Sequence, residues 1–282
     1  MQAKRLYISA DIEGTAGVVS KEQLGPEGFE YQQAREWMTA EVNAACEAAF
    51  ECGIEEVVVS DSHGNGQNLL LEKLPHKVQV VRSWPRPLGM MEGIDVGDYE
   101  GALLLGYHSG ASDLRGVLAH TLSGAGITEV RLNGEVASET VISAAIAAHF
   151  AVPVMLVSGD DAYIEHAQQV LAGPGCPLEG VLSKWASSAT SARMIAPKVV
   201  QQDIAAGVRA VLGRRDEFIA APLSPNIELQ VNCLRRRSAE LLDFLPNVQR
   251  VDAYTVQWVG KDMVEISKIL AFLLASGVLT FQ

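Results

Sequence analysis

Cysteine is scarce in this chain, and the patterns that usually give it a role are missing. The four present, Cys46, Cys52, Cys176 and Cys233, form no C-x-x-C pair. That argues against a disulfide scaffold or a cysteine-ligated zinc ribbon and reads as reduced thiols in a cytoplasmic protein. Long apolar runs are also absent. None approaches the roughly 20 residues of a membrane span, and Met1-Gln2-Ala3-Lys4-Arg5 leads straight into a strand with no signal-peptide core. There is no basic excess: 22 Lys and Arg stand against 34 Asp and Glu, giving a net charge of -12. A nucleic-acid binder needs a basic face, so that class is set aside, and Arg235-Arg236-Arg237 reads as a helix start or a subunit contact. No G-x-S-x-G elbow, H-E-x-x-H helix or phosphate-binding loop occurs, which weakens the serine-hydrolase and zincin readings.

What is present is an alternation of short apolar runs and helical patterns. Strands are expected at 5–10, 55–60, 78–82, 101–106, 128–132 and 153–157, and helices at 31–52, 138–149 and 160–172. In the first helix Ala34, Met38, Val42, Ala45 and Ala49 recur every three to four residues. This βαβ alternation predicts an α/β fold with a mainly parallel sheet and helices on both faces. A second region begins near Gly180. There a long helix is expected from Ala192 to Leu212, strands at 227–232 and 248–259, and a closing helix at 263–275. The expected division is a catalytic domain at 1–180 and a smaller α+β subdomain at 181–282, with no linker to sharpen the boundary.

Ligands of such sheets bind beyond the carboxyl ends of the strands, and acidic and imidazole side chains gather there. Asp11 and Glu13 follow the first strand. On extended backbone, residues two apart face one way, so the two carboxylates repel unless a cation or a shared proton compensates. His63 follows the second strand, with Asp61 available to orient its ring. His108 closes the run 102–107 and is either a satisfied core group or a ligand. His120 lies twelve residues on, and the glycine- and serine-rich link between them can fold back to bring the rings together. Glu139 follows a good N-cap, Ser138; the plain reading is an acid complementing the helix dipole. Asp, Glu and His at several strand ends suggest a first-row metal. Glu135 competes with Glu139 but is expected in a turn. His149 is expected in the core or at an interface, His76 in a loop and His166 on a polar helix face.

Together these residues resemble the D-aminopeptidase family of metallopeptidases, the DppA-like type of dipeptide-transport operons. The resemblance rests on Ser9-Ala10-Asp11-Ile12-Glu13-Gly14, Val59-Ser60-Asp61-Ser62-His63, the run Gly101 to His108, and Gly116-Val117-Leu118-Ala119-His120. The stretch Ile127 through Asp161, Thr255-Val256-Gln257 and Lys261-Asp262-Met263 extend it over nearly the whole chain. It implies two Zn²⁺ per chain, with Asp11 bridging them. Glu13 and His63 would complete one site, His108 and Glu139 the other, and His120 would be the catalytic acid or base. It also implies ring-stacked decamers that remove N-terminal D-residues such as D-Ala from short peptides. Three carboxylates would offset most of the charge of two zinc ions and favour a bridging hydroxide as nucleophile. The link between His108 and His120 is one residue longer than the family pattern, which bears on substrate choice. Asp113 is a candidate for the substrate amine. The alternatives are a metal-dependent amidase or peptidase for other short peptides, or a non-catalytic oligomeric peptide-binding protein.

Overall fold

The computed structural model describes residues 3–173, 176–221 and 224–280. Its centre is a seven-stranded sheet, here sheet A. The strands are β1 (Arg5–Ala10), β2 (Glu56–Asp61), β3 (Val78–Val81), β4 (Ala102–Leu105), β7 (Val154–Asp160), β8 (Glu179–Ser188) and β9 (Ser191–Met194), in spatial order β3-β2-β1-β4-β7-β8-β9. All neighbours pair in parallel except the last, β8 with β9. Sheet B has five antiparallel strands in the order β11-β12-β10-β5-β6. They are β5 (Ile127–Leu132), β6 (Glu135–Val136), β10 (Ile227–Cys233), β11 (Gln249–Arg250) and β12 (Thr255–Gly260).

The alternation along each strand decides the layers. Leu6, Ile8 and Ala10 of β1, with Val57, Val59, Leu103 and Leu105, face α1 (Tyr31–Glu51) and α4 (Pro197–Gly213). Tyr7, Val58 and Leu104 point the opposite way. They join one continuous core with α2 (Glu139–His149), α3 (Asp161–Leu171), α6 (Met263–Ala275) and the inner face of sheet B. The parallel sheet with helices on both faces is therefore present, and so is the antiparallel sheet beside it. The two sheets interleave in sequence instead of dividing at residue 180. Sheet A continues to Met194, and sheet B takes β5 and β6 from before residue 180.

Several local expectations change. The run 128–132 belongs to the antiparallel sheet, not the parallel one. Residues 191–194 form β9, and the helix expected from Ala192 begins at Pro197. Proline is favoured in the first turn, where its missing N–H costs nothing. The single strand expected at 248–259 is two short strands, β11 and β12, separated by a turn that Asp252 holds by accepting from the Tyr254 and Thr255 amides. The basic run opens α5 (Arg236–Leu242), as expected.

Candidate metal centre

Three loops and one helix start converge beyond the carboxyl end of sheet A. The loop after β1 carries Asp11 and Glu13, and the loop after β2 carries His63. The segment after β4 carries His108 and His120, and the first residue of α2 is Glu139. The first and third of these meet backbone to backbone. Gly14 N donates to Gly106 O at 2.7 Å, and Asp11 N donates to Leu105 O at 2.8 Å. A Cβ on Gly14 would lie 1.9 Å from Tyr107 O, and one on Gly106 would lie 2.3 Å from Asp11 O. Gly106 also has φ +67°. Both positions need glycine for the approach.

Asp11, Glu13, His63, His108 and Glu139 are all buried; His120 keeps 29% of its side chain exposed. Their ligand atoms fall into overlapping groups: Asp11–Glu13–His63, Asp11–His108–Glu139 and Glu13–His108–His120, each within 4.8 Å. The two oxygens of Asp11 face different imidazoles. Oδ1 lies 3.2 Å from His63 Nδ1, and Oδ2 lies 3.5 Å from His108 Nε2.

Whether these residues suit a metal is decided by their second nitrogens. His63 Nε2 donates to Leu24 O at 2.7 Å, which turns Nδ1 toward Asp11 Oδ1 and Glu13 Oε2, 3.0 Å away. His108 Nδ1 donates to Ser109 O at 2.9 Å, leaving Nε2 buried with no hydrogen-bond partner, 3.6 Å from Glu139 Oε1. Glu13 Oε2 is likewise buried without a hydrogen-bond partner. Neutral imidazoles in these tautomers aim lone pairs at carboxylates. That arrangement is repulsive unless a proton or a cation lies between. The donor set is nitrogen and oxygen only, which suits a first-row divalent ion such as zinc.

The titration behaviour of the metal-free site has the same cause. Burial and the neighbouring Glu13 charge push the Asp11 carboxyl up to about 7. Burial resists charging of His108, yet Glu139, Glu13 and Asp11 raise it to about 10. Burial resists charging of His63 as well, but Glu13 and Asp11 hold it well above the usual imidazole range. Burial opposes ionisation of Glu13 and Glu139, but His63 and His108 respectively outweigh it and keep both carboxyls low. Protons therefore occupy the points that a cation would take.

His120 stands apart from the other five. Its ring stacks on His108 at 4.2 Å and 11°. Nδ1 donates to Leu118 O at 2.9 Å, so Nε2 faces the cavity, 3.8 Å from Glu139 Oε1. The link between the two rings does fold back: His120 N donates to Ser109 O, and Ala111 N to Thr121 Oγ1. Leu118 and Leu122, on either side of His120, have φ of 55° and 61°, an uncommon conformation for leucine. Leu122 N donates to Glu139 Oε1 at 2.6 Å, and Ser138 caps α2 by accepting from Val141 N.

The remaining candidates lie elsewhere. Asp61 does not orient the His63 ring. It accepts from Asn68 N, Asn68 Nδ2 and Leu69 N and so fixes the loop, while Leu24 O holds the ring. Asp113 is engaged by the Arg115 and Gly116 amides, outside the cavity wall. Glu135 is exposed in β6; His76 and His149 are exposed, and His166 bonds Ser138 Oγ. Sequence reasoning missed the cavity wall. A cavity of about 350 Å³ opens from the carboxylates past Trp84 and Met90 to Ile142 and Ile146 of α2 and Leu270 and Leu274 of α6. Arg86 also lines it, but its guanidinium is committed to Ser60 Oγ and the Asp61, Val81 and Ser83 carbonyls.

Comparison with known proteins identifies the family. The D-aminopeptidase family model matches residues 4–272. A D-aminopeptidase of Bacillus subtilis (strain 168) is 30% identical over 264 residues, covering 93% of each chain. The solved structure of a zinc-dependent D-aminopeptidase, DppA from Bacillus subtilis, described as a self-compartmentalizing protease, superposes with a TM-score of 0.91. It shares 26% sequence identity over 99% of each chain. A family match along almost the whole chain, a relative of 30% identity and the same fold lead to one conclusion: this chain belongs to the D-aminopeptidase family of peptidases.

Proposed function

We propose that this chain is a two-zinc aminopeptidase that releases N-terminal D-residues, D-Ala among them, from short peptides. One observation carries the reading: two buried imidazole nitrogens face opposite oxygens of Asp11, and each has a further carboxylate beside it. Asp11 would be shared by the two ions, Glu13 and His63 would complete one site, and His108 and Glu139 would complete the other. Zinc, when bound, polarises the scissile carbonyl and lowers the pKa of the attacking water.

The chain's own groups do the rest. Leu24 O and Ser109 O fix the imidazole tautomers, so each ring presents a lone pair. Leu118 O fixes His120 in the same way, with Nε2 turned to the cavity. As water adds to the carbonyl carbon, His120 Nε2 takes up one of its protons, and as the C–N bond breaks it passes that proton to the leaving amine. The apolar wall of α2 and α6 excludes water from one side, and the cavity's size suits a short peptide. Four free thiols are consistent with a cytoplasmic setting. Among the described residues, no helix is long and apolar enough to cross a membrane. The description of the Bacillus structure as self-compartmentalizing supports a homo-oligomer, and the family resemblance points to a decamer.

The test pairs elemental analysis of the purified protein with hydrolysis of D-Ala-D-Ala and L-Ala-L-Ala before and after chelation. Two zinc per chain with chelator-sensitive, D-selective cleavage is expected. Cleavage of L-peptides or other amides alone would redirect the substrate. Absence of zinc and of activity after zinc is restored would favour a binding protein.

A further inference from the structure

One fully buried charge lies behind the ligand set. Lys184 sits in β8, and its ammonium makes no ion pair within 4.0 Å among the described residues. Its Nζ donates to three backbone carbonyls, Glu13 O at 2.5 Å, Val18 O at 2.7 Å and Thr15 O at 2.9 Å. The adjacent Ser183 Oγ donates to Gly14 O at 2.6 Å. Two consecutive residues of β8 thus hold four carbonyls of the loop that begins at Asp11. Burying an ammonium is costly unless its hydrogen bonds are met, and here all three are.

The loop has few alternatives for these carbonyls. It is pressed against the β4 loop at Gly14, and Ala16 N is taken by Glu41 Oε1. Thr15 O also accepts from Val18 N at 3.2 Å, while Lys184 and Ser183 supply the donors for the Glu13, Gly14 and Val18 carbonyls. Fixing the Glu13 carbonyl fixes the start of the Glu13 side chain, whose Oε2 lies 3.0 Å from His63 Nδ1.

We propose that Lys184 is a positioning residue for the metal centre: by clamping the Glu13, Thr15 and Val18 carbonyls, it sets the Glu13 carboxylate against His63 and builds the ion site those two share. The inference rests on the two-zinc reading. It implies an unequal effect. The Glu13–His63 site depends on the clamp, whereas His108 and Glu139 are held by Ser109 O and the Leu122 amide, which the clamp does not touch.

The experiment titrates zinc into the metal-free full chain against a chelating indicator, for wild type and Lys184→Met. Circular dichroism and the thermal midpoint of the metal-free form are recorded alongside. The variant is expected to fold, to keep one site within about threefold, and to weaken the other by roughly 10–100-fold, the range for outer supports of metal ligands. Its kcat should fall more than its KM changes. Wild-type affinity at both sites would overturn the inference. So would equal weakening of both, which a merely structural lysine would give. If Lys184→Met fails to fold, Ser183→Ala decides: a smaller weakening confined to the same site supports the clamp, and unchanged affinities reject it. A wild-type chain holding fewer than two ions would instead remove the two-zinc reading, and the inference with it.

Discussion

At the scale of single residues, position relative to the carboxylates assigns different consequences to similar side chains. His120→Ala should retain both ions and lose roughly 10²–10⁴-fold in kcat, the usual value of a positioned proton donor. Zinc content and kcat measured on one preparation check this, and near-normal turnover would remove His120 from the chemistry. Asp11→Ala should lose zinc at both sites, because its two oxygens face both imidazoles; elemental analysis after dialysis reads this directly. Protons and zinc compete for the same points, so zinc affinity should rise with pH until His108, at about 10 when metal-free, has given up its proton. Stability of the metal-free form follows the same groups. Asp11 and His108 both have raised folded pKa values, so the stability they contribute is complete below their ordinary values of 3.8 and 6.5. It is lost as pH climbs through about 7 and about 10 respectively. Melting of the metal-free protein from pH 6 to 10 should show a falling midpoint. All six candidates sit next to the end of an apolar run or a helix cap, which singles them out in the sequence, but their grouping into a ligand set came with the family resemblance. The role of Asp61 was not legible there, since spacing does not reveal that Asn68 and Leu69 claim its oxygens.

At the scale of elements, the site depends on loops that meet through glycine. Gly106→Ala would set a Cβ against Asp11 O on a left-handed backbone, and it should cost about 3 kcal/mol or more while also displacing Asp11. Ser138→Ala removes the N-cap of α2, worth about 1 kcal/mol, together with the hydrogen bond between Ser138 Oγ and His166 Nε2. A comparison of urea midpoints with zinc content separates the two: the glycine change should lower both, the cap change mainly the first. Strands with β-branched runs, such as β2, and helices with regular apolar spacing, such as α1, could be placed from sequence to within a residue. The strand β8 could not. Its Ser183 and Lys184 are polar, and they are buried where a loop far earlier in the sequence supplies their acceptors. Assigning β5 to the second sheet was equally out of reach, since its partner β10 lies about a hundred residues downstream.

At the scale of the whole molecule, the centre joins two layers. Asp11, His63 and His108 hang from sheet A, whereas Glu139 begins a helix that enters the core shared with sheet B. Bound zinc should therefore stabilise the entire fold. At a free concentration of 1,000 times Kd the gain is about 4 kcal/mol per site. For a chain of this size that is on the order of 10 °C in the thermal midpoint. Calorimetry with and without chelator measures it, and an unchanged midpoint would mean the ions contribute nothing to holding the layers. The chain order of the clamp has a further consequence, for synthesis. Every candidate ligand lies within the first 139 residues, but the lysine behind Glu13 comes 45 residues after the last of them, and the α6 wall of the cavity later still. A growing polypeptide thus displays the full set of acids and imidazoles well before it can seat an ion firmly. Loading should follow the emergence of β8 from the ribosome, and recognition of the peptide should come last, when α6 has docked.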